Sequence, residues 1–166
     1  MSTNDNLAAA FAGESQASRK YLAFAKQAEK DGMPQIAKLF RAAAEAETIH
    51  AHNHLRVLGW PKTTVENLQA AIEGEHHEFT SMYPAFLETA RAENAQAATN
   101  SFNLANEVEK IHFALYTQAL ESAKAGNDLP ATAIYVCTIC GHTHQGAAPE
   151  TCPVCRVGKS KFSEVK

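Results

Sequence analysis

The chain of 166 residues lacks the features that would export it or place it in a membrane. It begins Met-Ser-Thr-Asn-Asp-Asn-Leu, without a basic segment followed by an apolar core, so we expect no signal peptide and a cytoplasmic protein. No apolar run is long enough to cross a bilayer, so we expect no membrane association. Lys and Arg do not cluster, and the formal net charge is only -3, which argues against a nucleic-acid-binding surface.

Cysteine is absent before residue 137, and its four copies form the pairs Cys137-x-x-Cys140 and Cys152-x-x-Cys155. In a reducing compartment this arrangement indicates metal binding rather than disulfides. Two such pairs around one ion form a tetrahedral four-thiolate site, for which iron and zinc are both suitable, and a structural zinc ribbon is the alternative. So short a segment cannot build a large core, so the metal must help to fold it.

Strand patterns are also absent before residue 134, and the earlier sequence is rich in helix-forming residues. Turn and capping signals divide it into four predicted helices, at about 5–30, 34–58, 63–92 and 95–125. The sequence therefore predicts a mainly α protein. We expect a helical domain at 1–128, a linker at 129–134 and a small metal-stabilised β domain at 135–166.

Glutamates and histidines recur at matched positions on the four predicted helices. Glu14 and Glu47 are 33 residues apart and Glu75 and Glu109 are 34 apart, and the midpoint of each pair lies beside a turn. In an antiparallel hairpin, residues equidistant from the turn lie at the same height, about 25 Å from it. The two hairpins thus form a weak internal repeat. A solvated acidic face is the alternative, but it does not explain the matched heights.

Two of these glutamates begin Glu-x-x-His motifs, which end at His50 and His112. Two such motifs plus one glutamate on each remaining helix form the ligand set of dinuclear carboxylate bundles. We expect Glu47 and Glu109 to bridge two metal ions, with the other glutamates as terminal ligands and one histidine on each ion.

Glu78 is a surplus ligand, one turn after Glu75 on the same face. We expect Glu78 and His50 to be alternative ligands of one metal in different oxidation states, because a ferric ion prefers the carboxylate. A hydrogen-bond acceptor beside the metals is the other role open to Glu78. Tyr21 and Tyr83 follow the ligand positions and are candidates for hydrogen-bonding to bound oxygen species, with core packing as the alternative.

With these motifs the sequence resembles the rubrerythrin family over nearly its whole length. The residues that carry the resemblance are Gly13-Glu14-Ser15, Glu47-x-x-His50-Ala51, Gly74-Glu75-His-His-Glu78, Met82-Tyr83-Pro84, Glu109-x-x-His112 and the two cysteine pairs. The resemblance implies a ferritin-like four-helix bundle with a non-haem di-iron site. It also implies a rubredoxin-like domain with one iron on four cysteines, in which zinc is a potential substitute.

The resemblance further implies a peroxidase that reduces hydrogen peroxide to water and protects against oxidative stress. Electrons would come from NAD(P)H through a separate reductase, or from rubredoxin, and enter at the four-cysteine iron. It implies that Glu78 and His50 exchange as ligands, and Tyr21 and Tyr83 match tyrosines beside the di-iron site. There are two rival functions. An Fe(II)-oxidising protein would not need a rubredoxin-like domain. A metal-stabilised electron carrier would not need the seven candidate ligands, five glutamates and two histidines, that converge in the helical domain.

Two residues depart from the rubredoxin-like pattern. Arg156 stands where a second glycine is common, and His142 where an aromatic residue is usual. Since glycine adopts positive φ easily, we expect Arg156 either to strain the second cysteine turn or to alter the amide hydrogen bonds to the sulfur atoms.

The connection between predicted helices two and three is short. In a ferritin-like bundle the second and third helices run parallel, and both hairpins meet at one metal site. The predicted helix lengths after His50 and before Glu75 add up to roughly 30 Å, and residues 59–63 would have to span that distance. They reach at most about 18 Å. We therefore predict a homodimer with exchanged helices, in which residues 1–58 of one chain complete the site with residues 64–126 of the other. A plain up-down bundle within one chain is the alternative.

Overall fold

A computed structural model describes residues 2–166 and divides the chain into two compact units, the first ending at Lys62 and the second covering Thr63–Lys166. This division falls inside the predicted helical domain, at the short connection between its second and third helices. The described residues form five α-helices and one small sheet, which confirms the predicted mainly α architecture with a small β domain. Among residues 2–166, none of the helices has the combination of length and hydropathy that spanning a membrane requires.

The first unit is a helical hairpin of α1 (Thr3–Lys30) and α2 (Pro34–Val57). Ser2 caps α1 in a reciprocal capping box with Asp5, and Pro34 occupies the first turn of α2. Small buried side chains line the contact between the helices and allow a close approach. They are Ser18, Ala25 and Ala28 of α1 and Ala37, Ala44 and Ala51 of α2.

The second unit contains a similar hairpin, but its first arm is interrupted. That arm comprises α3 (Thr64–His77), a π-helical segment (Glu78–Met82) and α4 (Tyr83–Ala92), and α5 (Gln96–Lys124) returns antiparallel to it. Thr63 caps α3 in a capping box with Glu66, as Ser2 caps α1. The sequence predicts one regular α-helix at about 63–92, whereas the structure has a π-helical segment within this range.

The π-helical segment accommodates one extra residue in the second hairpin. Tyr21, at the start of an aromatic cluster in the first hairpin, has its counterpart Tyr83 exactly 62 positions later, and the turn residue Gly32 corresponds in the same way to Asn94. Both turn residues have positive φ, 74° and 54°. Upstream of the π-helical segment the offset is 61, as from Ser2 to Thr63. The wide turn therefore lets the rest of the repeat keep its register.

The small β domain lies at the end of the second unit. Its strands are β1 (Ile134–Cys137), β2 (Thr143–Gln145) and β3 (Phe162–Glu164), which form an antiparallel sheet in the order β2-β1-β3. Val136 pairs with Thr143 on one side and with Ser163 on the other. This sheet supports the cysteine turn that follows β1.

Candidate metal centres

The first ligand cluster lies between α1 and α2. Ligand atoms of Glu14, Glu47 and His50 all lie within 4.8 Å of one another. The i, i+3 spacing on α2 brings His50 Nδ1 to 2.9 Å from Glu47 Oε2. Glu47 is largely buried, whereas the His50 side chain is 55% exposed. Three donors provide only part of a two-metal coordination shell.

Two hydroxyl groups hold the helices together beside this cluster. Ser18, one turn after Glu14, is buried, and its hydroxyl lies 2.9 Å from the hydroxyl of Thr48, the residue after Glu47. Thr48 Oγ1 also lies 2.9 Å from the Ala44 carbonyl oxygen, to which it donates. Because Thr48 donates to Ala44, Ser18 donates to Thr48. This pair was not predicted, although Ser18 lies one helical turn after Glu14 and Thr48 directly follows Glu47.

The second ligand cluster lies between α3 and α5. Ligand atoms of Glu75, Glu109 and His112 lie within 4.8 Å of one another. His112 Nδ1 is 2.7 Å from Glu109 Oε2 and 3.7 Å from Glu75 Oε1. Burial, followed by the charge of Glu109 and a hydrogen bond with it, raises the pKa of Glu75 to about 7.

The donor chemistry of both clusters fits iron. In the second cluster burial, followed by the charge of Glu109, raises the pKa of Glu75, and a bound cation would offset both effects. Carboxylate oxygens with one imidazole nitrogen are suitable ligands for divalent and trivalent iron. Each hairpin thus presents one set of two glutamates and one histidine.

Glu78 lies at the end of α3, where the π-helical segment begins. It is half-buried, and burial, followed by the charge of Glu109, raises its pKa. Among the described residues it is not one of the two glutamates that converge with His112, but its charge also contributes to the raised pKa of Glu75. Glu78 therefore stands beside the second cluster without joining it in this conformation.

Tyr83 lies one π-helical turn after Glu78, and its backbone N–H donates to the Glu78 carbonyl oxygen. Burial raises the pKa of Tyr83, and the charges of Glu78, Glu109 and Glu75 add to this effect. The tyrosine is thus in the electrostatic environment of the carboxylates. Its ring also packs against Phe86 and Phe102.

Tyr21 occupies the equivalent position in the first hairpin. Its ring centroid lies 6.2 Å from those of both Phe24 and Phe40. These residues correspond to Phe86 and Phe102 in the second hairpin. The packing and hydrogen-bonding roles expected for the two tyrosines are therefore compatible, because the ring can pack while the hydroxyl remains available.

The four cysteines form a separate cluster in the small domain. Their sulfur atoms lie within 4.8 Å of one another, with Cys137 Sγ 3.6 Å from Cys155 Sγ and Cys140 Sγ 3.6 Å from Cys152 Sγ. A tetrahedral ion with metal–sulfur bonds of about 2.3 Å has sulfur–sulfur edges of about 3.8 Å, so the cluster fits one ion. Burial acts to raise the pKa of Cys137, but amide donors of Cys140 and Ile139 outweigh it and lower the pKa to about 7.

The two unusual residues of this domain have clear structural roles. Arg156 has a φ of 66°, in the left-handed region, as its position in place of glycine leads us to expect. His142 is buried and packs edge-on against Phe162, so it occupies the aromatic position. Burial lowers the pKa of His142, which favours the neutral ring. Within residues 2–166 both of its ring nitrogens lack a hydrogen-bond partner.

One contact joins the second cluster to the small domain. His112 Nε2 lies 3.0 Å from the hydroxyl of Thr143, the first residue of β2. Thr143 was not predicted, because the contact joins residues 31 positions apart in different elements. Its closeness to Cys140 was the only available signal.

Family models match both parts of the chain. The model described as rubrerythrin matches residues 5–120, and the model described as the rubredoxin-like domain of rubrerythrin matches residues 135–163.

Individual proteins match over nearly the full length. Rubrerythrin-2 of Clostridium acetobutylicum is 40% identical over 174 residues, covering 96% of this chain and 95% of the relative. Rubrerythrin of Nitratidesulfovibrio vulgaris is 35% identical over 176 residues, covering 96% and 92%. A solved structure of nigerythrin in a mixed-valence state is 35% identical, with a TM-score of 0.59, and the match covers 99% of this chain and 87% of nigerythrin.

Proposed function

Since the chain belongs to the rubrerythrin family, we propose that it is a peroxidase that reduces hydrogen peroxide to water at a non-haem di-iron site. Family membership and the observed ligand clusters confirm the predicted cofactors, a di-iron site and one metal on four cysteines. The observation that carries the proposal is that one chain contains both kinds of donor set. Protection against oxidative stress follows from removing peroxide.

The ligand roles follow from the two clusters. We propose Glu47 and Glu109 as bridging ligands, with the remaining ligands distributed between the two ions. Those remaining ligands are Glu14, Glu75, His50 and His112. When bound, the irons supply the two electrons that, with two protons, convert one hydrogen peroxide into two waters.

Glu78 and His50 are proposed as alternative ligands of one iron. The His50 side chain is largely exposed and is held at Nδ1 by Glu47, and Glu78 stands beside the second cluster without joining it. The π-helical turn supports the idea, because such turns lack regular α-helical hydrogen bonding and are frequent at functional sites.

Tyr83 and Tyr21 are proposed to hydrogen-bond to peroxide. For Tyr83 the support is its raised pKa beside three carboxylates, which keeps the hydroxyl protonated and able to donate. For Tyr21 the support is its equivalent position in the repeat.

Electrons are proposed to enter at the four-cysteine iron. The donor would be an NAD(P)H-dependent reductase or rubredoxin, and the support is the cluster of four unpaired thiols in a rubredoxin-like domain. Free thiols also suit a reducing compartment, so we propose a cytoplasmic location. We also propose that the chain divides by function into a di-iron domain at 1–128, a linker at 129–134 and a four-cysteine domain at 135–166.

A homodimer with exchanged helices is proposed to complete the di-iron site. The helix ends support it, because α2 ends at Val57 and α3 begins at Thr64. The six residues between them reach only about 21 Å, whereas the helical lengths beyond His50 and before Glu75 add up to about 27 Å. Exposed apolar residues of the first hairpin, which a second copy would cover, include Leu22, Phe24, Met33, Ile36, Leu39 and Ile49.

Stopped-flow oxidation of the fully reduced protein tests the proposal against its main rival, an Fe(II)-oxidising protein. We expect hydrogen peroxide to oxidise the di-iron site much faster than dioxygen does. Fast oxidation by dioxygen together with slow oxidation by peroxide would overturn the peroxidase. A colourless four-cysteine site that holds only zinc would remove the proposed route for electron entry.

A further inference from the structure

The contact between His112 and Thr143 determines which nitrogen of the histidine is available to a metal. Thr143 Oγ1 lies 3.3 Å from the carbonyl oxygen of Gly141, to which it donates. Its hydroxyl therefore has only lone pairs to offer to His112 Nε2, 3.0 Å away. His112 Nε2 then carries a proton, so Nδ1 is the nitrogen that can bind a metal. That nitrogen faces Glu109 and Glu75.

The threonine is itself held in place by the cysteine turn. Gly141 follows Cys140, and a Cβ placed on Gly141 would lie 3.9 Å from Val108 Cγ1. Val108 is buried and directly precedes Glu109 on α5. Covalent bonds and two hydrogen bonds thus form a continuous path from Cys140 through Gly141 and Thr143 to His112.

The first hairpin offers a natural comparison. His50 corresponds to His112 in the repeat, and its side chain is 55% exposed, against 25% for His112. The His50 ring lies 2.9 Å from Glu47 Oε2 through Nδ1, whereas the His112 ring contacts Glu109 through Nδ1 and Thr143 through Nε2. The two histidines of the repeat therefore differ in how firmly they are held.

We infer that Thr143 is a positioning residue that fixes the tautomer and orientation of His112 and makes it the permanent histidine ligand of the di-metal site. Its hydroxyl also links that site to the four-cysteine site within one chain. This inference rests on the metal site in the proposed function. A group that accepts from the outer N–H of a ligating histidine makes the ring a stronger ligand, and its loss typically lowers metal affinity 10–100-fold.

The test uses the full-length protein with zinc in the four-cysteine site and Co(II) titrated into the helical site, read from cobalt absorption. We expect Thr143→Val to weaken Co(II) binding at least about tenfold and Thr143→Ser to restore it. Thr138→Val is the matched control, because Thr138 donates to the Lys161 carbonyl in the same domain, away from α5. It should leave affinity unchanged.

Iron-loaded protein provides a second readout. Removing the acceptor makes His112 a weaker donor to ferric iron, so the reduction potential of the di-iron site should become more positive in Thr143→Val and return in Thr143→Ser. The inference would be overturned if Thr143→Val kept the wild-type metal affinity and reduction potential. It would also be overturned if Thr143→Ser lost affinity and shifted the potential as much as Thr143→Val. If the valine variant does not fold, Thr143→Ala provides the same comparison.

The test of Thr143 does not depend on whether the protein turns over hydrogen peroxide. If the wild-type protein holds both irons but does not reduce peroxide, the proposed function fails, while the difference between Thr143→Val and Thr143→Ser still decides the role of Thr143.

Discussion

Tyr83 lies one π-helical turn after Glu78, and its N–H donates to the carbonyl oxygen of Glu78. Tyr83 lies eight positions after Glu75, whereas Tyr21 lies seven positions after Glu14. The wide turn takes up the additional residue, so the ligand and the tyrosine keep the relationship they have in the regular α1. The position equivalent to Glu78 in α1 is Ala17, so the extra carboxylate and the wide turn occur together in the second hairpin.

Deleting Thr80 from the π-helical segment should convert it to a regular α-helix. We expect the deletion variant to keep both irons and to gain thermal stability, because regular i to i-4 hydrogen bonds replace those of the wide turn. Turnover should fall, because Glu78 is then held in a regular turn. Metal analysis, thermal unfolding and peroxidase assays measure the three effects. Deleting Ala17 from α1 is the control: no wide turn is available there to absorb the loss, so metal binding should fail.

Replacing Glu78 by alanine tests the ligand exchange. We expect peroxidase turnover to fall about 10–100-fold, the range seen when groups that tune a metal site are removed. The Mössbauer spectrum of the diferric state should change, because a carboxylate ligand is lost. Glu73→Ala, an exposed change on the same helix, is the matched control. Wild-type spectrum and turnover in Glu78→Ala would exclude the exchange.

The pKa of Glu75 predicts how pH acts on protein whose helical site is metal-free. In the folded state burial and Glu109 raise this pKa to about 7, from an ordinary value of 4.5. Between these values the folded protein retains a proton that the unfolded chain releases, so stability falls as pH rises through this window. Thermal unfolding with metal only at the cysteines should show this decline, and Glu75→Gln should flatten it. A melting temperature that rises with pH across the window contradicts the assignment.

The ligand positions were predictable because i, i+3 spacing and matched distances from a turn are local features of the sequence. The turns after Lys30 and Ala92 were likewise signalled by Asp31-Gly32 and Glu93-Asn94. The π-helical segment was not predicted, because its residues are compatible with an α-helix. The sequence contained one signal for it: Glu75 and Glu109 are 34 positions apart, one more than Glu14 and Glu47 in the first hairpin. Thr143 could not be predicted, because its role depends on how the cysteine turn packs on α5.

Arg156 provides a test of backbone strain in the cysteine domain. A side chain at positive φ costs about 1 kcal/mol or more, so Arg156→Gly should slow metal loss to a chelator and stabilise the domain modestly. The gain should stay near 1 kcal/mol, because glycine also increases the entropy of the unfolded chain. Gly141, with a φ of 84°, is the converse control, and Gly141→Ala should accelerate metal loss. Faster metal loss from Arg156→Gly would show that the arginine side chain contributes a stabilising contact.

Complementation between two inactive variants distinguishes exchanged helices from a site closed within one chain. Glu14→Ala damages the first hairpin and Glu75→Ala the second, so each variant alone should lose the di-iron site. In an exchanged dimer, a mixed pair contains one site with both glutamates intact and one site with neither. Unfolding and refolding the two variants together should therefore restore about a quarter of the wild-type sites.

Iron content and peroxidase activity of the refolded mixture measure the recovery. The control is each variant refolded alone, which should recover neither. If every site is built from a single chain, mixing cannot bring an intact Glu14 and an intact Glu75 to the same metal pair, and activity stays at the level of the controls. The six-residue connection between α2 and α3 would then fit a plain up-down bundle, in which short loops suffice.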